Sequence, residues 1–301
     1  MPGSKDPTVQ RRRLQVELRR ARTEAGLTQK EAAETLDWSP SKLLRIENGT
    51  VGISPVDLRA LLTQYGIKDP KRIDELVQIA RGSKKQPFTE YRDVLKPAFM
   101  TYLGFEASAA INRQFQPQLV PGLLQTQEYA EAVLQALDPA ISATDIQRQV
   151  EARLERQELL DREDAGKFFF IVDEAVVRRV VGGLGVMSRQ LELLKERSKQ
   201  PNVTIQVIPF SAGAHYGMGG PFIVLEFEDP NTDNLLYVEN ERGDMVSRDA
   251  TPETTSRLES FWQMEKLASA PEDLNDVLGG ILRDMRSSSS SASAPSTASS
   301  T

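Results

Sequence analysis

Between Thr28 and Gly49 the chain reads TQKEAAETLDWSPSKLLRIENG, and two helix-start signals inside that stretch leave its backbone little freedom. Thr28 and Glu31 have the spacing of a capping box, in which a hydroxyl and a carboxylate each satisfy an orphan backbone N–H of the other. Ser39-Pro40 gives a second start: an N-cap, then a proline whose fixed φ suits the first helical position. Asp37 and Trp38 are left to make the turn. The predicted unit is helix, tight turn, helix, with Ala32, Ala33 and Leu36 facing inward from the first helix. Leu43 and Ile46, three residues apart, face inward from the second, so Ser41, Lys42 and Arg45 project from its other side.

The flanking residues extend the same grammar. Leu14, Leu18, Ala21 and Ala25 recur at helical spacing, and Gly26 follows them as a C-terminal stop. Ser54-Pro55 and Asp69-Pro70 start two more helices, which the glycines at 66 and 82 end. Five short helices are therefore predicted over residues 1–82. Charge divides along the same line. Residues 1–85 hold 17 Lys and Arg against 11 Asp and Glu, whereas the rest of the chain holds 20 against 32. A basic head on an acidic body is expected where only the head approaches phosphate, and the whole-chain charge of -6 conceals it.

Several chemistries fall away on composition. The chain has no cysteine, which removes disulfides, thiolate metal sites and a cysteine nucleophile. Its only histidine is His215, too little imidazole for most metal-dependent or hydrolytic sites. No cofactor or metal is expected, and the chain is not read as an enzyme. No apolar run reaches the length of a membrane span, and no apolar stretch follows the charged N-terminus, so the expected location is the cytoplasm, on the nucleoid.

The stretch GSKKQP marks a linker over residues 83–89. Beyond it a mixed α/β domain is expected over residues 90–286. Tyr91 to Leu103 reads as helix and Ile111 to Leu119 as extended. Pro121-Gly122 turns into a helix ending near Leu137, and Ser142 caps a charged helix through Leu160 on which Arg153, Glu155 and Arg156 read as a solvated face. FFFIV at Phe168 and VTIQVI at Val203 read as strands, with an amphipathic stretch from Val186 to Arg197 between them. Asp173 and Glu174 read as acidic residues at a helix N-terminus rather than as catalytic carboxylates. The loop SAGAHYGMGG carries His215 and Tyr216 but lacks the Lys-Ser/Thr of a phosphate-binding loop, so it reads as a hinge or contact loop. Segments from Pro221 and from Leu235 form a hairpin, Thr251 caps a further helix, and another follows Pro271. From Ser287 the tail, residues 287–301, is expected to be disordered.

The head resembles the Xre family of helix-turn-helix regulators. The resemblance rests on Gly26, Leu27, Thr28, Gln29, Ala32, Ala33, Leu36, Ser39, Ser41, Arg45, Ile46, Glu47 and Gly49. It implies an α+β protein whose N-terminal domain is an all-α five-helix bundle of the lambda-repressor type. It also implies a role for each polar residue. Ser41 and Lys42 lie where family members touch base edges, and lysine can donate to guanine. Gln29, Ser39 and Lys30 would hold phosphates, and Arg45 would contact either. Trp38 would pack in the turn and rest on the sugar-phosphate backbone. Arg22 and Glu47 match the family's internal ion pair. Leu44 departs from the family, which often has a small polar residue there; it enlarges the core or touches a thymine methyl.

The body resembles the C-terminal domain attached to Xre helices in actinobacterial regulators of the WhiJ type, through QPQLVPGLLQTQEYA, FIVDEAVVRRVVGG and PNVTIQVIPFSAGAHYGMGGPF. That resemblance implies regulation of developmental or secondary-metabolism genes and a small partner protein of the BldB type. Two functions are carried forward. One is a repressor that binds a palindromic operator on double-stranded DNA as a homodimer, with Ile205, Val207 and Phe222 supporting the dimer through the core of the second domain. The other is an antitoxin-like protein that binds a small partner and autoregulates its own operon.

Overall fold

The structure is a computed structural model that describes residues 7–47, 52–82, 88–163, 165–228, 233–239, 245–247 and 251–292. Contacts divide the chain into two units, the first comprising Met1–Arg92, Lys96–Ala109 and Phe227–Asp233 and the second Asp93–Leu95, Ala110–Glu226 and Asn234–Thr301. With helices in the first and a mixed sheet with helices in the second, the protein is α+β.

In the first unit the helices are α1 (Pro7–Glu24), α2 (Gln29–Glu34), α3 (Pro40–Glu47), α4 (Pro55–Gln64) and α5 (Pro70–Gly82). The caps are those the sequence predicts. Thr28 and Glu31 form the reciprocal box at α2, Ser39 Oγ accepts the Lys42 N–H at 3.2 Å at α3, and Ser54 accepts from Asp57 at α4. Gly26 and Gly66 take the left-handed conformation at the ends of α1 and α4. Asp37 takes it too, at φ 53° in the turn between α2 and α3, a conformation a short polar side chain tolerates better than most. Leu14, Leu18, Ala32, Ala33, Leu43, Ile46, Leu58, Leu61, Leu62, Leu76 and Val77 share one core. Burying each leucine there contributes on the order of 1.5–3 kcal/mol.

One boundary here differs from expectation. The helix expected from Tyr91 begins only at Pro97, as α6 (Pro97–Glu106), after a 3-10 turn at Thr89–Tyr91. Proline disfavours helical backbone in the residue before it, so Pro97 sets the start. This helix packs on α1, with which it shares the first contact unit. Being apolar on every side, it buries Tyr102, Leu103 and Phe105, and the Tyr102 hydroxyl donates to the Glu106 carboxylate. Of the expected linker, residues 83–87 lie outside the described residues.

The second unit holds a six-stranded sheet in the order β3-β2-β1-β4-β5-β6, from β1 (Ile111–Gln116), β2 (Lys167–Asp173), β3 (Val203–Ile208), β4 (Phe222–Glu226), β5 (Leu235–Val238) and β6 (Met245–Ser247). β1, β2 and β3 run parallel, and the later strands continue the sheet antiparallel. Parallel neighbours need crossovers. The chain supplies them as α7 (Gln127–Leu137) with α8 (Ala143–Gln157), then α9 (Glu174–Arg178) with α10 (Leu184–Arg197). β2 is apolar on both faces, as befits a strand inside a covered sheet. The edge of β3 is not left open: the Ser269 N–H donates to the Val207 carbonyl at 2.8 Å, and Gln206 Nε2 donates to the Ser269 carbonyl at 2.9 Å. Ile205, Val207 and Phe222 are all buried.

α11 (Pro252–Glu265) is capped by Thr251. α12 (Leu274–Ala292) runs on into the serine-rich stretch, so the expected tail loses its first residues to a helix; residues 293–301 lie outside the described residues. Helix propagation is cooperative, and serine interrupts it far less than glycine or proline. The charged face expected on α8 is corrected as well. Arg156 is buried, and Arg153 Nη1 donates to Gln125 Oε1 at 2.5 Å. Burial, and then the positive charge of Arg156, push Arg153 down to about 10. Charge alone misleads here, because long side chains on an amphipathic helix also serve as its inner face when amides stand ready to receive them.

Candidate nucleic-acid interface

The site is built on α3, held by a buried carboxylate at its C-terminal end. Glu47 is fully buried. Arg22 grips it with two nitrogens, Nε to Oε1 at 2.7 Å and Nη2 to Oε2 at 3.2 Å. The same guanidinium donates to the Leu27 carbonyl at 2.9 Å, in the turn that enters α2. Gln29 Nε2 donates to Glu47 Oε2 at 2.7 Å, and Arg19 donates to the Glu47 carbonyl at 3.1 Å. One carboxylate thereby fixes α1, the entry to α2 and the end of α3 relative to one another. Paired this way the Arg22 guanidinium is held charged, its pKa raised first by the hydrogen bond to Glu47. Burial, with the nearby negative charge of Glu47, pushes the Tyr65 phenol upward as well.

The outward face of α3 is differently constrained. Lys42 Nζ lies 3.7 Å from the centroid of the Trp38 ring and 3.5 Å from Asp57 Oδ2. Both members of the ion pair keep more than a third of their side chains in solvent, so the pair is worth at most about 1 kcal/mol. Trp38 packs its other parts against the helical core. Ser39 and Ser41 are exposed, with hydroxyls 3.1 Å apart. Lys30 is exposed, 3.9 Å from Glu34 one turn on. Glu31 is committed to the cap: the backbone and hydroxyl of Thr28 donate to it, which pulls its carboxyl below the usual carboxylate range. Leu44 is 43% exposed and so does not enlarge the core, which settles one of its two readings. Arg45 lies in α3, but its side chain falls outside the described residues.

Among the residues predicted from sequence, Trp38, Ser39, Ser41 and Lys42 thus cluster at the start of α3, and Gln29 reaches its end. Sequence reasoning found the Arg22–Glu47 pair and missed two other contacts of the site, Gln29 with Glu47 and Asp57 with Lys42. Gln29 was assigned to phosphate alone, whereas one of its two amide hydrogens is spent on Glu47. Asp57 was not singled out at all, although the first turn of a helix capped by Ser54 is a favoured place for an acidic residue. Among the described residues no helix is long and apolar enough to cross a membrane, and no group of three or more histidines and carboxylates is gathered as for a metal ion.

Comparison with known families also divides the chain in two, with most of α6 falling in the second match. A helix-turn-helix domain model matches residues 13–76, which span α1 to most of α5. No curated protein and no solved structure matches the chain. A second family model, for a domain of unknown function termed DUF5753, matches residues 99–279, well over half of the 301 residues. The helix-turn-helix head marks a DNA-binding regulator, and the protein as a whole belongs to the DUF5753 family.

Proposed function

We propose that the chain is a sequence-specific repressor of developmental or secondary-metabolism genes, of the WhiJ type, that works in the cytoplasm on the nucleoid. It binds a palindromic operator as a homodimer, and the DUF5753 body receives a small partner protein or ligand. The observation that carries this reading is the unequal treatment of α3. Its inner end is bolted by the buried Glu47 cluster, whereas at its N-terminal end the Lys42–Asp57 pair and the contact between the Ser39 and Ser41 hydroxyls lie at the surface, where a duplex can replace them. A rigid helix with exchangeable polar groups at its N-terminus suits entry into a major groove.

In this reading Lys42 leaves Asp57 and donates to a guanine edge, and Ser41 contacts the neighbouring base. Ser39, Lys30 and the second amide hydrogen of Gln29 hold phosphates, Trp38 rests on the backbone, and Arg45 reaches either. The basic count of residues 1–85 supports the approach to phosphate. Chromatin immunoprecipitation with sequencing tests the function. Occupancy at many promoters sharing a twofold-related sequence is expected. Occupancy confined to the protein's own operon would favour the antitoxin-like alternative instead.

A further inference from the structure

The loop between β3 and β4, residues 209–221, reads PFSAGAHYGMGGP and contains no Asp, Glu, Lys or Arg, in a chain that is 27% charged. It nevertheless displays three large apolar side chains to solvent: Phe210 is 58% exposed, Tyr216 63% and Met218 71%. Apolar groups shown this way on a segment free of charge are a mark of an interaction surface, and aromatic and methionine side chains are favoured at interface cores.

The loop is held in that pose. Glu174 Oε2 accepts the Phe210 N–H at 2.7 Å, and Asp173 Oδ2 lies 3.4 Å from His215 Nε2. His215, its side chain 5% exposed, packs edge-on against Phe115 and accepts the Gly217 N–H at Nδ1. Gly217 is pressed so closely on the sheet that a Cβ there would run into the Phe115 ring and stand 2.8 Å from Met264 Sδ. With Gly217 facing in, its neighbours Tyr216 and Met218 face out. Gly213 and Gly220 turn the loop at φ 66° and 111°. The turn at Tyr216–Gly219 packs on α11, which exposes Trp262. The backbone that carries these side chains is thus held before any partner arrives, which lowers the ordering cost of association.

We infer that this loop is the self-association face of the protein, docking against the same loop of a second copy. From residue 86 onward the chain holds 20 Lys and Arg against 32 Asp and Glu, so two copies repel over most of their bodies and approach best through a patch without charge. A groove of about 570 Å³ in the same unit is lined by residues of α7 and α8, including Ile146, Val150 and Leu154. It carries Glu131 and Glu151, each bonded to a glutamine of its own helix rather than to a cation among the described residues. Self-docking there would bring four carboxylates together. A twofold contact, by contrast, sets loop 209–221 against itself with no such penalty.

This inference rests on the dimeric reading above and gives it a location. The test is sedimentation velocity of the full chain at micromolar concentration, with circular dichroism to verify folding. The wild type is expected to sediment as a dimer, and the double variant Tyr216→Asp, Met218→Asp as a folded monomer that binds its operator about 100-fold more weakly, having lost the tethered second head. Leu137→Asp, on α7 at a position 72% exposed, should remain dimeric. Because the loops face one another, a mixture of Met218→Lys and Met218→Asp chains should recover the dimer that each has weakened alone. A double variant that still dimerises would overturn the inference and leave the dimer standing. A monomeric wild type would overturn both, while its binding to DNA would still report separately on the regulator.

Discussion

The two units solve the same problem with opposite residue types. In the first unit the interior is mostly leucine, isoleucine and alanine, and charge enters it at Glu47, held by Arg22 and Gln29, and at Glu106, which accepts from the Tyr102 hydroxyl. The interior of the sheet unit also takes in Asn112, Gln114, Gln125, Gln157, Gln190, Gln206 and Arg156, while a loop of that unit turns Phe210, Tyr216 and Met218 outward. The head uses one strong polar cluster to fix helices that must present a surface. The body spreads neutral amides through its core, and four of them, Gln125, Gln157, Gln190 and Gln206, donate there to backbone carbonyls. Gln190 shows the pattern: its Oε1 accepts the Thr126 N–H at 2.8 Å, and its Nε2 donates to the Leu124 carbonyl at 2.6 Å.

That contrast is open to a graded attack. Glu47→Ala should have the largest effect, lowering the stability of the head by about 3–5 kcal/mol, because the Arg22 guanidinium would remain in a site built for a pair. Thermal melting followed by circular dichroism checks it, and a loss near 1 kcal/mol would mean the cluster is not what fixes α3. Gln190→Leu should cost less, on the order of 1–3 kcal/mol, since the groups it strands are a neutral N–H and a neutral carbonyl. A loss as large as that at Glu47 would erase the distinction between the units.

Lys42→Ala should leave stability within about 0.5 kcal/mol, its pairs being exposed, yet weaken operator binding by about 1–3 kcal/mol and relax preference at one base. Fluorescence anisotropy on matched and single-base-altered duplexes measures both. Gln29→Ala should act on both properties at once, reducing stability by about 1 kcal/mol through Glu47 and weakening all sequences alike. A purely sequence-specific defect would instead make Gln29 a base reader.

The smallest effect belongs to the cap of α2. Because Thr28 lowers the Glu31 carboxyl in the folded state, the cap stabilises the head at pH values above the unfolded carboxylate pKa, and that contribution is lost as pH falls through the lower folded value. The difference in melting midpoint between the wild type and Glu31→Gln should therefore shrink in acid. A difference that persists unchanged at low pH would show that charge on Glu31 does not matter to the cap.

How much of this was legible in the sequence follows from the range of the interactions. Caps at Thr28, Ser39, Ser54 and Thr251 act within three residues, so their residue types announce them. The strands FFFIV and VTIQVI and the hairpin from β4 to β5 announce themselves by pattern. What stayed hidden depends on partners far along the chain. Arg153 is drawn inward by Gln125, 28 residues away, and no local feature separates it from a solvated arginine. Lys42 meets Asp57 across 15 residues, and Gln29 meets Glu47 across 18. The short strand β6 and the five-residue α9 were missed as elements because neither is long enough to show a period. Only the acidic start of α9 was visible, and Asp173 does accept the Ala175 N–H there at 2.8 Å.

The central claim is that the helical head reads DNA through the N-terminal end of α3. It is tested most directly by selecting bound fragments from genomic DNA with the purified full chain and titrating the recovered sequence across salt concentrations. The account predicts enrichment of a twofold-related sequence, an affinity that falls steeply and linearly on a log-log plot as salt rises, and loss of that enrichment in Lys42→Ala. No enriched sequence, or an affinity indifferent to salt, would contradict it.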